Sequence, residues 1–210
     1  MMIDFDYLFQ AHNVKATGVL HLGASEGQEM STYRRLGMKP VVFVEAIQSV
    51  YVKLLQHLLT YPEATAINEC VSDVDGQEVI FNVSNNDAQS SSFLELGHHK
   101  VIHPSVHYIE QIKMTTKTVV TIVREYGIDL SEINFLNADL QGVELLALKG
   151  MGALILNFKY LYLEVNKKPT YIGCAHVDEI DLYVADYGFR RVETGTWVAD
   201  TWTDALYERL

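Results

Sequence analysis

The sequence predicts an α/β fold in which a mostly parallel sheet carries helices on both faces. Three observations predict it: apolar runs of strand length alternate with amphipathic stretches, several of those stretches end at a glycine, and the first run opens straight into a small-residue turn. The 210 residues, 49% hydrophobic and 20% charged with only 4 prolines, fit one globular domain over 1–210.

In chain order, the parallel core is expected from strands at 18–22, 41–45, 65–71, 133–139 and 160–165, each short, apolar and rich in branched residues. Helices are expected at 28–36, 48–61, 118–126 and 143–149, with Gly37, Gly127 and Gly150 as stops. A further strand at 78–83 follows the Asp75-Gly76 turn signal. After a helix at 177–186 ending at Gly188, strands at 189–193 and 205–208 read as a closing hairpin. Residues 84–108 have no sustained period and hold three consecutive serines and four histidines, which predicts a long loop or lid on the acceptor side of a site.

Charge narrows the function. A net charge of −11 repels a phosphate backbone, so no nucleic-acid partner is expected. The pairs Arg34-Arg35, Lys167-Lys168 and Arg190-Arg191 read as solvated helix ends and strand edges. Cys70 and Cys174 form no disulfide framework or metal spacing, and Met1 to Gln10 lacks the basic start and apolar run of a secretory signal. A cytoplasmic protein without membrane insertion is expected, either whole or as one module of a longer glycan-processing chain.

The chemistry is expected at the carboxyl ends of the strands. Gly23-Ala24-Ser25-Glu26-Gly27, with Gln28 opening a helix, has the form of a nucleotide-binding first turn, where small residues let the backbone approach a ligand. Glu45 ends the second strand 22 residues after Gly23, the spacing of an acid that accepts hydrogen bonds from ribose hydroxyls. Ser72 and Asp73, after the third strand, are placed to hold an adenine ring. A dehydrogenase using a nicotinamide cofactor would draw on the same turn and acid, although the full G-x-G-x-x-G arrangement is missing. A nucleotide-binding module without turnover is the other alternative.

The fourth strand ends in Asp139-Leu140-Gln141-Gly142-Val143-Glu144, and here the sequence resembles the FkbM-type methyltransferases, whose signature is Asp, a variable residue, Gln or Glu, Gly, a variable residue and Glu. The resemblance extends to Leu22-Gly23-Ala24, Val44-Glu45-Ala46, Val71-Ser72-Asp73 with Asp75-Gly76, and Gln89-Ser90-Ser91-Ser92. It continues through Glu164-Val165-Asn166, Tyr171, and Trp202-Thr203-Asp204-Ala205 before Leu206-Tyr207. His21 departs from it, because the family usually has Asp two residues before the first glycine.

The resemblance implies a Rossmann-like class I methyltransferase fold, a seven-stranded sheet with an antiparallel last strand. It also implies S-adenosylmethionine as cofactor, S-adenosylhomocysteine as product, and O-methylation of a sugar or other small hydroxylated acceptor. The cofactor residues expected are then Gly23, Ala24, Ser25, Glu26, Gly27, Gln28, Glu45, Ala46, Ser72, Asp73, Ser91, Asp139 and Gln141.

Three roles are open to Asp139: orienting the acceptor, taking its proton, or holding the cofactor. Glu164 and His98 are the other candidate acid-base residues, because a hydroxyl needs a base within reach. His99, Asn166 and Tyr171 are candidate acceptor contacts. No ligand motif supports a divalent ion on Asp139, Glu164 and a lid histidine, so metal-independent transfer is the simpler expectation.

Overall fold

A computed structural model describes residues 3–210, so the first two residues of the amino-terminal segment lie outside the described residues. The central strands are β1 (Val19–Leu22), β2 (Val41–Glu45), β7 (Phe135–Ala138) and β8 (Tyr160–Asn166). Every residue of these four strands is buried, which is why they read as unbroken apolar runs. With β3 (Ala64–Asn68), β9 (Phe189–Thr194) and β10 (Trp202–Arg209) they form a seven-stranded sheet in the order β3-β2-β1-β7-β8-β10-β9. All its pairings are parallel except those of β10, which runs antiparallel to both β8 and β9. From β1 the chain runs outward to β3 and then returns to β7 beside β1, so the order reverses there and a crevice opens at the carboxyl ends.

Each face of the sheet has its own apolar cluster. On one side pack α1 (Phe5–Ala11), α2 (Met30–Arg35) and α3 (Gln48–Leu58); on the other pack α5 (Val119–Glu125), α6 (Glu144–Met151) and α7 (Val177–Ala185). Helix α3 buries Val50, Leu54 and Leu58, one stripe at four-residue spacing. Each such side chain contributes about 1.5–3 kcal/mol.

The structure adds two elements and revises three readings. Helix α1 is new: Asp4 caps it, and Phe5 packs on Tyr33, Phe135 and Tyr162. The strand expected at 65–71 breaks at Glu69 into β3 and β4 (Cys70–Val71), which leaves the main sheet. There β4 joins the other new element, β6 (Tyr108–Lys117), and β5 (Glu78–Ser84) in a three-stranded sheet.

Gly150 is no helix stop. It lies inside α6, where a Cβ would meet the Ser72 carbonyl at 2.3 Å, and Gly152 at φ 51° ends the helix instead. Residues 84–108, expected as a loop, hold a one-turn helix, α4 (His99–Ile102), and a hydrogen-bonded serine turn. Among the described residues no helix is long and apolar enough to cross a membrane.

Candidate active site

A cleft of about 550 Å³ opens at the carboxyl edge where β1, β2 and β7 meet, walled on its far side by the 84–108 segment. Its base is the first turn. The amides of Gly23 and Ala24 both donate to the Val44 carbonyl, and Gly23 sits at φ +78°, where a Cβ would lie 1.9 Å from the Asp139 carbonyl oxygen. Only glycine allows β1 and β7 to approach this closely.

Glu45 ends β2 with its side chain buried across that turn. Its Oε2 accepts from the Ser25 amide at 2.9 Å and its Oε1 from the Ile47 amide at 2.8 Å. Burial pushes its carboxyl up to about 7. Each oxygen keeps a lone pair for a ligand, so the group can fix the turn and accept ribose hydroxyls together.

The turn after β7 is built as tightly. Gln141 and Gly142 take positive φ values of 55° and 97°, and the Glu144 Oε1 accepts from the amides of Leu140 and Gly142 at 2.8 and 3.1 Å. The last acid of the signature therefore holds the turn's shape. Gln141 donates through its amide to Asp139 and, at 3.3 Å, to Glu164, while Tyr171 donates its hydroxyl to the Gln141 carbonyl oxygen. Asp139, Glu144 and Glu164 each present an oxygen within 4.8 Å of the others.

Asp139 stands exposed in the cleft, while Glu164 is buried with one oxygen lacking a partner among the described residues. In register opposite Glu164 on β10 is Asp204, also buried. Loss of surrounding water in the cleft raises Asp139, burial and the Asp139 charge raise Glu164, and burial lifts Asp204 to about 7. Protons or a bound positive charge relieve such repulsion.

Beneath the turn, Asn137 donates to the Tyr33 hydroxyl at 2.7 Å, leaving that hydroxyl to donate to His21 Nδ1 at 3.2 Å. Burial drives His21 down to about 3, so its ring is neutral.

Of the residues singled out from the sequence, Gly23, Ala24, Ser25, Gln28, Glu45, Ala46, Ser91, His99, Asp139, Gln141 and Glu164 line the cleft. Others lie behind it. Glu26 pairs with Lys53 at 2.7 Å, and Gly27 packs on Leu54. Ser72 is buried with its hydroxyl on Asp73, and neither lines the cleft; Glu69, Cys70 and Val71 form that wall because the chain breaks at Glu69. His98 also lies outside the lining, whereas His99 bonds Ser90 Oγ at 3.1 Å and is lowered to about 4 by burial. Tyr171 reaches the site through Gln141, and Asn166 is buried with both amide atoms unpartnered among the described residues. Glu29 and Asn137 line the cleft without having been singled out; so do Asp204, named above only within the resemblance, and His103, one of the four histidines of the 84–108 segment.

The methyltransferase FkbM domain model matches residues 21–191 of the sequence, most of its length. The chain belongs to the FkbM methyltransferase family. A search of curated proteins returns no match. Solved structures similar to it include an S-adenosylmethionine-dependent methyltransferase from Aquifex aeolicus, at 12% identity and TM-score 0.55, covering 100% of this chain and 91% of that one.

Magnesium protoporphyrin IX methyltransferase from Synechocystis, with bound S-adenosylmethionine, matches at 12% identity and TM-score 0.54, covering 98% and 76% of the two chains. Streptococcus pneumoniae Sp1610, a candidate tRNA (m1A22) methyltransferase in complex with S-adenosyl-L-methionine, matches at 10% and 0.53, covering 100% and 73%. At these identities the likeness establishes the fold. Together with FkbM membership it makes this chain an S-adenosylmethionine-dependent methyltransferase of Rossmann-like α/β architecture.

Proposed function

We propose that this FkbM domain methylates a hydroxyl of a sugar or other small polyhydroxylated molecule that carries no phosphate. The cleft lining supports this most directly. It includes Glu29, Glu45, Glu69, Asp139, Glu164 and Asp204 but neither lysine nor arginine. Among the described residues, Glu69 is the only one of these six within ion-pairing distance of a lysine or arginine, Lys117 at 2.7 Å. A phosphorylated, nucleotide-linked or nucleic-acid acceptor would bring further negative charge to these carboxyls without any cation to receive it. A neutral polyol brings donors that carboxylates accept. The net charge of −11 weighs against tRNA in the same direction.

The residues fit the cofactor. The bare backbone at Gly23 and the carboxylate of Glu45 lie side by side, as a nucleoside requires. When bound, S-adenosylmethionine supplies an electrophilic methyl group on a sulfonium. In this reading Glu45 holds the ribose, Gly23, Ala24 and Ser25 line its approach, and Glu69, Cys70 and Val71 wall the base.

Asp139, at the mouth of β7, orients the acceptor hydroxyl and takes its proton as the new carbon–oxygen bond forms. A raised carboxyl pKa suits that task near neutral pH. The Gln141 amide donates to both acids and so holds Glu164 beside Asp139. Ser91 and His99 form the acceptor-side wall. His98, outside the lining, has no part in it.

The test is transfer of tritiated methyl from the cofactor to a panel of neutral glycans and polyols, nucleotide sugars and tRNA. O-methyl ether on a neutral acceptor is expected. Methyl on nitrogen, or transfer confined to nucleotide sugars or tRNA, would overturn the proposal.

A further inference from the structure

We infer that Glu29, at the start of α2 and beside His21 of β1, receives the α-ammonium group of the cofactor. The inference rests on S-adenosylmethionine as the cofactor and assigns a residue to its amino-acid end. Three observations carry it.

First, Glu29 lines the cleft, with its side chain 14% exposed and 4.0 Å from His21 Nδ1. Among the described residues no lysine or arginine lies within ion-pairing distance of it. A carboxylate so enclosed and without a cation is unfavourable until a ligand supplies one.

Second, the acids divide around the first turn. Glu45 stands on the β2 side, bonded to the Ser25 and Ile47 amides, while Glu29 stands beside His21 and within electrostatic reach of Asp139, on the β7 side. A ligand whose ribose rests on Glu45 and whose thioether crosses the turn brings its amino-acid end toward Glu29.

Third, several competing acids are engaged, while Glu164 and Asp204, each with one oxygen unpartnered among the described residues, face each other in register across β8 and β10. Asp139 accepts from Gln141, Glu164 is tied to the same amide, and Glu144 is committed to the Leu140 and Gly142 amides. Buried His21, accepting from Tyr33, cannot pair with an ammonium group.

The test is calorimetric titration of the unmodified protein and Glu29→Gln with S-adenosylhomocysteine and with 5′-methylthioadenosine, which keeps the nucleoside and thioether but lacks the amino acid. Loss of a charged hydrogen bond predicts that Glu29→Gln binds S-adenosylhomocysteine about tenfold or more weakly, with unchanged affinity for methylthioadenosine. The His21→Asp, Glu29→Gln double variant, which returns a carboxylate to β1, is expected to recover the loss. Equal affinity for S-adenosylhomocysteine in Glu29→Gln and parent, or parallel loss of both ligands, overturns the inference.

Should Glu29→Gln fail to fold, the unmodified protein still decides. Deamino-S-adenosylhomocysteine is expected to bind about tenfold more weakly than the complete product, and equal binding overturns the inference. An unmodified protein that binds neither nucleoside overturns the cofactor reading and Glu29 with it.

Discussion

Replacing Glu45 by glutamine changes one atom type at the centre of the cleft. The buried carboxylate accepts the Ser25 amide at 2.9 Å on one oxygen and the Ile47 amide at 2.8 Å on the other. Glutamine keeps one acceptor oxygen and turns an amide donor toward the second N–H, so one charge-assisted bond is lost and a buried donor is left unsatisfied. Such losses cost about 2–3 kcal/mol. At about 2–4 °C per kcal/mol for a chain of this size, the melting temperature should fall by about 4–12 °C.

The ribose loses its carboxylate acceptor in the same step, which predicts about 10–100-fold weaker binding of S-adenosylhomocysteine. Calorimetric melting and titration on the same preparations read both numbers, and titration below the variant's melting range separates weak binding from unfolding. A folded Glu45→Gln protein that binds S-adenosylhomocysteine within about threefold of the parent would refute the assignment of Glu45 to the ribose.

Further predictions follow from the same geometry. Gly23→Ala places a Cβ 1.9 Å from the Asp139 carbonyl at φ +78°, so the β1 and β7 turns must separate; product binding should fall below detection by titration, and retained affinity would contradict the close approach. Asp139→Asn should abolish methyl transfer while product affinity stays within about fivefold of the parent, because the amide keeps the side chain's shape but cannot take a proton. Parent-like turnover would remove Asp139 from the chemistry.

One separable part of the pH dependence is carried by Asp204, whose carboxyl is lifted from 3.8 to about 7 by burial. A raised carboxyl contributes stability that is full below its unfolded value and is lost as pH rises through the folded one. Asp204→Asn has no such loss, so its stability relative to the parent, read from melting curves, should climb between pH 5 and pH 8 by an amount on the order of 2 kcal/mol. A constant difference across that range would place the Asp204 pKa elsewhere.

The parallel core was legible because β1, β2, β7 and β8 are buried on both faces, which leaves unbroken apolar runs in the sequence. Strand β6 was missed because most of its residues are exposed or half-buried and it is held by pairing with β5 and β4, a non-local property. Gly150 carries the same letter as a helix-ending glycine; only its approach to the Ser72 carbonyl distinguishes it.

The glycine turn and Glu45 were readable from local spacing. Asp204 was not, because it faces Glu164 only through the antiparallel register of β10 on β8. The wall expected at Ser72 and Asp73 moved to Glu69, Cys70 and Val71 because the chain leaves the main sheet one residue after Asn68, where the Asn68 side chain ties back to the Glu45 and Ala46 carbonyls.

The central claim, that this carboxyl edge is a seat for S-adenosylmethionine, is tested most directly by titrating the unmodified protein with S-adenosylhomocysteine and with NAD in parallel. One saturable site for S-adenosylhomocysteine and no heat with NAD is the predicted result. Saturable binding of NAD with none of S-adenosylhomocysteine would contradict it.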